Sequence, residues 1–151
     1  MNTTFIANKM VKSPYVITAN QTLRDAWDYM KACNIRHLPV YRDNAIVGII
    51  SERDLKAAMS LDKSDRLYVE DIMKTDLYLV PQITPLRKVV QYMADNKIGS
   101  ALVVDPKDTL IGIFTTIDAL YLLADLLEET ELDDRILNET DYWPRGVSDS
   151  L

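Results

Sequence analysis

Two aspartates carry the chemistry that this sequence suggests most directly, because each ends the same short pattern. The pattern is a glycine, two apolar residues, a hydroxyl residue, two further residues and an aspartate, and it spans residues 48–54 and 112–118. An ionised carboxylate has two acceptor oxygens and can take both donors of a ribose cis-diol. A hydroxyl at a helix start, beside free backbone N–H groups, suits a phosphate. The hydroxyl and carboxyl partners are Ser51 with Asp54 and Thr115 with Asp118.

The same two pairs also fit a simpler role at a helix N-terminus. A Ser or Thr three residues before an acidic residue is typical of a capping box, and the helix dipole favours an acid in the first turn. Helix capping therefore stays open as an alternative to ribose binding in each copy. A single hydroxyl can also cap the helix and bind the ligand at the same time.

The shared ending belongs to a repeat that covers most of the chain. Equivalent residues of the two copies are 63 positions apart in the sequence, and one extra residue in the turn after Val104 increases this separation to 64. Two packed copies of one supersecondary unit form their pockets in the cleft between them. The identities are Met10/Met73, Tyr15/Tyr78, Leu23/Leu86, Arg24/Arg87, Tyr29/Tyr92, Met30/Met93, Ile35/Ile98, Val40/Val103, Gly48/Gly112, Ile49/Ile113 and Asp54/Asp118.

Each copy has the pattern strand, helix, strand, strand, helix. Apolar residues at i, i+3, i+4 and i+7 predict the first helix of each copy, and nearly continuous apolar runs predict buried strands. The fold class is therefore α/β (α+β), a tandem pair of β-α-β-β-α repeats with pseudo-twofold symmetry. The predicted strands are residues 15–17, 38–41, 45–50, 77–80, 100–104 and 109–114, and the helices are 22–33, one capped by Ser51, 85–96 and one from Thr115.

Charge and composition define the segments and exclude several classes of partner. We predict repeat 1 at residues 5–60, a linker at 61–70, repeat 2 at 71–127 and an acidic extension at 128–151. The extension has eight acids and two arginines, which leaves 15 acids and 15 bases before it. This neutral body lacks the basic footprint that nucleic acids require. In the extension, Tyr142 and Trp143 either pack back on the body or form a contact, and both alternatives stay open.

The remaining features predict a cytoplasmic protein without a membrane span, a metal site or a cofactor. The N-terminus lacks a secretion signal, and the longest apolar stretch, residues 119–127, is too short to cross a bilayer. Cys33 is the single cysteine and His37 the single histidine, so neither a disulfide nor a Cys/His metal cluster is expected. No nucleophile–base set, Walker loop or dinucleotide fingerprint is present.

Residues 5–127 resemble a pair of CBS domains, named after cystathionine β-synthase and also called a Bateman module. The resemblance rests on the tandem unit, on residues 35–40 (Ile-Arg-His-Leu-Pro-Val) before a hairpin, and on the two terminal patterns. It indicates a stand-alone CBS-pair protein of the kind common in bacteria and archaea. Such pairs are regulatory modules that bind AMP, ADP, ATP or S-adenosylmethionine between the repeats.

The resemblance also implies which residues form the two pockets. The aspartate accepts hydrogen bonds from the ribose, and the first strand and the residues before the Leu-Pro-Val-type strand of the opposite repeat enclose the adenine and the phosphates. We expect the first pocket, which contains Arg36 and His37, to bind phosphates more tightly, because the second has only Arg53 nearby. The first pocket comprises Thr115, Asp118, Tyr15, Arg36 and His37, and the second comprises Ser51, Arg53, Asp54, Tyr78, Gly99 and Ser100.

Function is therefore predicted as a non-catalytic sensor of an adenosine ligand, acting through an unidentified regulated protein or a dimer mate. We expect a homodimer, because the apolar face of Leu120, Leu123 and Leu127, with the N-terminal segment, needs a partner. Two rival functions are a ligand-independent dimeric scaffold, in which the repeated residues only cap helices, and a nucleotide-hydrolysing enzyme. The enzyme is disfavoured because no carboxylate cluster or activated base is visible.

Overall fold

The structure is a computed structural model that describes residues 2–137, with side chains described for residues 2–131. The chain divides into two units, Met1–Thr116 and Ile117–Leu151. Tyr142, Trp143 and most of the acidic extension lie outside the described residues. In chain order the elements are a 3-10 turn Ile6–Asn8, β1 Val11–Lys12, β2 Ile17–Thr18, α1 Leu23–Cys33, β3 His37–Arg42, β4 Ala45–Ser51, α2 Glu52–Met59, a 3-10 turn Ser64–Arg66, α3 Val69–Ile72, β5 Leu79–Pro81, α4 Leu86–Asn96, β6 Ser100–Val104, β7 Leu110–Thr115 and α5 Thr116–Leu137.

Helix α1 forms where the sequence predicts it, because both of its ends are specified locally. Thr22 and Asp25 form a reciprocal capping box, in which each side chain accepts a hydrogen bond from the other residue's backbone N–H at 3.1 Å. The helix ends at Asn34, which takes the left-handed conformation with φ 51°. Its buried face is Leu23, Ala26 and Met30.

Helix α4 is the equivalent element of the second repeat and is also confirmed. It begins after Pro85, which needs no N–H there, and it ends at Lys97 in the left-handed conformation with φ 54°. Val89 and Met93 are buried. The two left-handed C-caps place residues 36–37 and 99–100 in equivalent positions at the start of the next strand.

The strands form two small mixed sheets, one for each repeat. The three-stranded sheet has the order β2-β3-β4, and the four-stranded sheet has the order β1-β7-β6-β5. In each, the first strand of the repeat runs parallel to the second, and the second is antiparallel to the third. Each antiparallel pair has an irregular register at the same place, after Val40 and after Val103. The predicted α/β (α+β) tandem repeat is therefore confirmed.

The segment that leads into the first strand of each repeat pairs with the sheet of the other repeat. Strand β1 precedes β2, the first strand of repeat 1, but pairs with β7, with Val11 opposite Ile113. Reciprocally, Ile49 of β4 exchanges two backbone hydrogen bonds of 2.9 Å with Lys74, which precedes β5, the first strand of repeat 2. The two repeats of the first unit are thus joined by reciprocal crossings of the chain.

The polar linker contains more structure than its composition predicts. Val69 is completely buried, and its backbone N–H donates to Gln21 O at 2.8 Å. This anchor begins α3 within the stretch predicted as linker. The first strands also begin later than predicted, at Ile17 and Leu79, so that Tyr15 and Tyr78 lie just before them.

Candidate functional site

A cleft of about 920 Å³ opens in the first unit, and residues of both repeats line it. Its lining falls within residues 36–37, 49–56, 73–78 and 97–102. These stretches are the start of β3, the end of β4, most of α2, the segment that leads into β5, and the turn between α4 and β6 with the start of β6. We call this cavity the Asp54 cleft.

Ser51 is the last residue of β4 and the N-cap of α2. Its Oγ accepts a hydrogen bond from the backbone N–H of Asp54 at 3.1 Å, so the capping interpretation of this hydroxyl is confirmed. Only the hydrogen bond to the Ser51 side chain forms here, whereas α1 has both hydrogen bonds of a capping box. The carboxylate of Asp54 is therefore not used as the second half of a capping box, and helix capping does not explain it.

The side chain of Asp54 is 24% exposed, and its two oxygens differ in their surroundings. Oδ1 lies 3.9 Å from Nζ of Lys74, at the outer limit of an ion pair. Oδ2 is buried and has no hydrogen-bond partner. A buried carboxylate oxygen without a donor is energetically unfavourable, so this atom suits a ligand that supplies one, after a small rotation of the side chain.

Equivalent residues of the two repeats meet in the lining of the cleft. His37 pairs with Ser51 across β3 and β4, as Ser100 pairs with Thr115 across β6 and β7. A Cβ built on Gly99 would lie 3.5 Å from Nε2 of His37. Because residues 36–37 and 99–100 are repeat equivalents, their contact places them close to the pseudo-twofold axis.

The charged side chains of the cleft give it an excess of positive charge. Five cationic residues and three carboxylates line it, a formal balance of +2 with His37 neutral. Among the described residues, Arg53 and Lys97 form no ion pair. The cations are Arg36, Arg53, Lys56, Lys74 and Lys97, and the carboxylates are Glu52, Asp54 and Asp76.

Glu52, the first residue of α2, is the most heavily paired of these carboxylates. It lies 2.8 Å from Lys31 Nζ, 3.1 Å from Lys56 Nζ and 3.5 Å from Arg36 Nε. Hydrogen bonds from Lys31 and Lys56 lower the pKa of Glu52 to about 2. The side chain is therefore ionised throughout the physiological range.

Tyr78 adds an aromatic wall to the cleft and is held by a second ring. It stacks on Tyr92 with ring centroids 4.3 Å apart, and its backbone carbonyl accepts a hydrogen bond from Leu102 N–H. Burial, and to a smaller extent Tyr92, raises the pKa of Tyr78. The repeat equivalent, Tyr15, makes an edge contact with Tyr29 and is half exposed.

The structure brings together all the residues predicted for the second pocket. It also places two residues predicted for the first pocket in the same cleft. The lining includes Ser51, Arg53, Asp54, Tyr78, Gly99 and Ser100, and also Arg36 and His37. The prediction that Arg53 is the sole cation near Asp54 is wrong, because residues beside the pseudo-twofold axis serve this cleft as well. Tyr15 and Thr115 lie outside the lining, and Asp118, in the first turn of α5, belongs to the second unit.

Sequence reasoning missed Lys74, Thr75 and Asp76, which enter the lining through the chain crossing after Met73. The repeated methionines Met10 and Met73 were a signal for this crossing, since each lies shortly before the first strand of its own repeat. Glu52, Lys56 and Lys97 were also missed, because charged residues near helix ends resemble any solvated surface.

The part of the chain that the structure describes contains neither a candidate metal site nor a membrane-spanning helix. No group of three or more His, Cys, Asp or Glu residues could hold a metal ion within residues 2–137. In that range, too, every helix is too short or too polar to cross a membrane.

Comparisons with known proteins agree with the repeat architecture. The family model of the CBS domain matches the chain twice, over residues 6–61 and 69–125. A CBS domain-containing protein of Dictyostelium discoideum is 33% identical over 131 residues, which cover 79% of this chain and 90% of the relative. An inosine-5'-monophosphate dehydrogenase of Methanocaldococcus jannaschii is 30% identical over 112 residues, and this match spans only 22% of that enzyme.

The fold is also similar to that of a solved CBS domain pair. The CBS domain pair of protein MJ0100 is 26% identical, with a TM-score of 0.75 over 82% of this chain and 98% of that one. That pair was solved in complex with 5'-methylthioadenosine and S-adenosyl-L-methionine.

Proposed function

This chain belongs to the CBS domain family, and we propose that it is a non-catalytic regulatory module that binds an adenine nucleotide in the Asp54 cleft. Family membership and the adenosine compounds in the MJ0100 pair support the adenosine part of this proposal. The cleft itself supports the phosphate part. The proposed location is the cytoplasm.

The observation that carries the proposal is the unsatisfied oxygen of Asp54. Oδ2 is buried without a hydrogen-bond donor, and Oδ1 has only the distant Lys74 beside it. The hydroxyls of a ribose supply two donors to one carboxylate, and hydrogen bonds to an ionised acceptor are the stronger kind. The nucleoside would thus satisfy an atom that the protein leaves without a partner.

The charge of the cleft favours a phosphorylated ligand over S-adenosylmethionine. With a formal balance of +2, the lining attracts the anionic phosphates of AMP, ADP or ATP, whereas a sulfonium cation would meet like charges. Arg53 and Lys97 are the natural first contacts, because neither forms an ion pair among the described residues.

The apolar side of the cleft suits the adenine ring. Ile49, Leu77 and Leu102 line it, and Ile49 and Leu102 belong to one buried cluster. Tyr78 adds an aromatic face that its stacking on Tyr92 holds in place. A flat apolar base would fit between these side chains while its phosphates face the cations.

Regulation would act through the placement of the two repeats. A ligand that contacts both repeats shifts the equilibrium towards the arrangement in which those contacts form. We propose that a second copy of this chain or an unidentified regulated protein responds to this shift. Helix α5 supports the dimer, because Leu120, Leu123 and Leu127 are each at least half exposed.

The alternative function is a ligand-independent dimeric scaffold. The capping bond from Asp54 N–H to Ser51 Oγ favours it, because this contact gives the hydroxyl a structural role without any ligand. The scaffold does not account for Oδ2 of Asp54.

Calorimetry with adenosine, AMP, ADP, ATP and S-adenosylmethionine separates the two functions. The native protein should bind the nucleotides, and Asp54→Asn should weaken their binding. Asp95→Asn is a matched control, because Asp95 hydrogen-bonds Gln91 on the exposed side of α4, outside the cleft. Absence of binding for every compound at millimolar concentration would support the scaffold instead. Incubation of the protein with ATP tests the nucleotide-hydrolysing enzyme directly.

A further inference from the structure

Glu52 is placed in the Asp54 cleft but is not used by the proposed binding of a nucleoside. Its backbone N–H donates to Arg36 O at 2.8 Å, and its side chain is only 15% exposed. The carboxylate joins three cations of different elements, namely Lys31 of α1, Lys56 of α2 and Arg36 before β3.

This carboxylate divides four of the five cations of the cleft into two groups, the fifth being Lys74 beside Asp54. Arg36 and Lys56 line the cleft and already have an anionic partner in Glu52. Arg53 and Lys97 have no ion-pair partner among the residues that the structure describes. An incoming phosphate therefore meets two cations without a competitor and two that an internal anion already occupies.

The fold does not require a carboxylate at this position. The repeat equivalent of Glu52 is Thr116, whose N–H donates to Gly99 O at 3.1 Å, just as Glu52 N–H donates to Arg36 O. The backbone connection at the helix start is thus the same with a neutral side chain. The carboxylate is an added feature of the first repeat.

We propose that Glu52 is a specificity residue that limits how many phosphates the cleft binds, by occupying Arg36 and Lys56 as an internal substitute for an anion. A ligand with a short phosphate chain can bind beside Arg53 and Lys97 without disturbing Glu52. A longer polyphosphate must displace the carboxylate from its cations and so gains less from its additional charge. The inference rests on the proposed function for its ligand class, but not for its test.

The substitutions Glu52→Gln and Glu52→Asp test this role with inorganic tripolyphosphate, AMP and ATP as probes. Glu52→Gln removes the charge, and Glu52→Asp keeps the charge but shortens its reach to Arg36 and Lys56. Glu70→Gln is the matched control, because Glu70 pairs with Arg42 outside the cleft lining. Thermal unfolding confirms that each variant is folded before calorimetry.

Glu52→Gln should tighten tripolyphosphate and ATP by about three- to tenfold, the range that releasing two partly exposed ion pairs supports. AMP should gain less, Glu52→Asp should give an intermediate gain, and Glu70→Gln should match the native protein. The inference is overturned if Glu52→Gln behaves like Glu70→Gln or weakens binding. It is also overturned if Glu52→Asp matches the native protein, since net charge alone would then explain the gain.

Because tripolyphosphate contains no nucleoside, its binding tests the role of Glu52 independently of the proposed function. If the native protein binds no adenosine compound, the proposed function fails, while the response of tripolyphosphate to Glu52→Gln still decides the role of Glu52. If Glu52→Gln does not fold, Glu52→Asp decides alone, because it retains the charge that pairs with Lys31.

Discussion

Met73 packs against Gly48 so closely that a larger residue at the glycine would force the methionine side chain to move. A Cβ on Gly48 would lie 2.5 Å from Met73 Sδ and 3.0 Å from the backbone oxygen of Lys74. The second repeat has the same relationship, since a Cβ on Gly112 would lie 2.7 Å from Met10 Cγ. The repeated glycines thus allow each lead-in segment to cross onto the sheet of the other repeat.

Gly48→Ala should destabilise the protein by about 1–3 kcal/mol, because the methyl group overpacks a contact that includes backbone. Gly99→Ala is the matched control, since its Cβ would lie 3.5 Å from His37 Nε2, an ordinary contact distance. Urea unfolding measures both free energies. Met73→Ala should restore part of the loss in the double variant, and a Gly48→Ala protein as stable as the control would contradict the packing argument.

Asp54→Ala should weaken nucleotide binding by roughly 10- to 150-fold, which corresponds to about 1.5–3 kcal/mol for a hydrogen-bonded charge. Asp118→Ala should have the smaller effect on AMP and ATP, because the cations Arg53 and Lys97 line the cleft of Asp54. Calorimetry on both variants ranks them. If Asp118→Ala loses more affinity than Asp54→Ala, the phosphates bind in the pocket of Asp118, as the sequence predicted.

The sequence predicted the elements well wherever local patterns specify them. Strand β6 has the predicted bounds, Ser100–Val104, and α1, Leu23–Cys33, lies within the predicted helix 22–33. Apolar periodicity and capping chemistry act within a few residues, so they can be inferred without the fold.

The partners of these elements were less predictable, because they depend on contacts distant in sequence. Nothing local indicates that β1 pairs with β7 or that Lys74 pairs with Ile49. The place of Arg36 and His37 in the lining of the Asp54 cleft has the same origin. Residues beside a pseudo-twofold axis contact their own equivalents, a contact between repeats that no local pattern in the sequence indicates.

An adenine nucleotide should raise the melting temperature of the native protein. Ligand at 100 times its dissociation constant adds about 2.7 kcal/mol to the stability. At about 2–4 °C per kcal/mol for a chain of this size, the expected shift is roughly 5–10 °C. Differential scanning fluorimetry with AMP, ADP and ATP measures it, with inosine monophosphate to test recognition of the base. An equal shift with all four would indicate that the phosphates alone are recognised.

Sedimentation should show a dimer of the native protein at roughly 50 μM, well above micromolar dissociation constants. Among the α5 side chains that the structure describes, which end at residue 131, six large apolar ones are more than 40% exposed, and a helix with exposed apolar residues around its circumference is normally covered. Leu123→Glu should yield monomers. Leu61→Glu, the same change at an exposed leucine outside α5, should leave the dimer intact. Dimers that persist in Leu123→Glu would place the interface elsewhere.

The stabilising effect of Glu52 should disappear at low pH. Because folding lowers the pKa of this carboxyl from its usual 4.5 to about 2, ionised Glu52 stabilises the folded state above pH 4.5. This contribution should decline as the pH falls from about 4.5 towards 2. Melting temperatures of the native protein and Glu52→Gln, measured in steps of one pH unit, should therefore differ at pH 7 and converge near pH 2. Glu70→Gln corrects for the general effect of removing one acid. A gap that stays constant down to pH 2, or that widens as the pH falls, would show that the ion pairs with Lys31 and Lys56 do not stabilise the fold in solution.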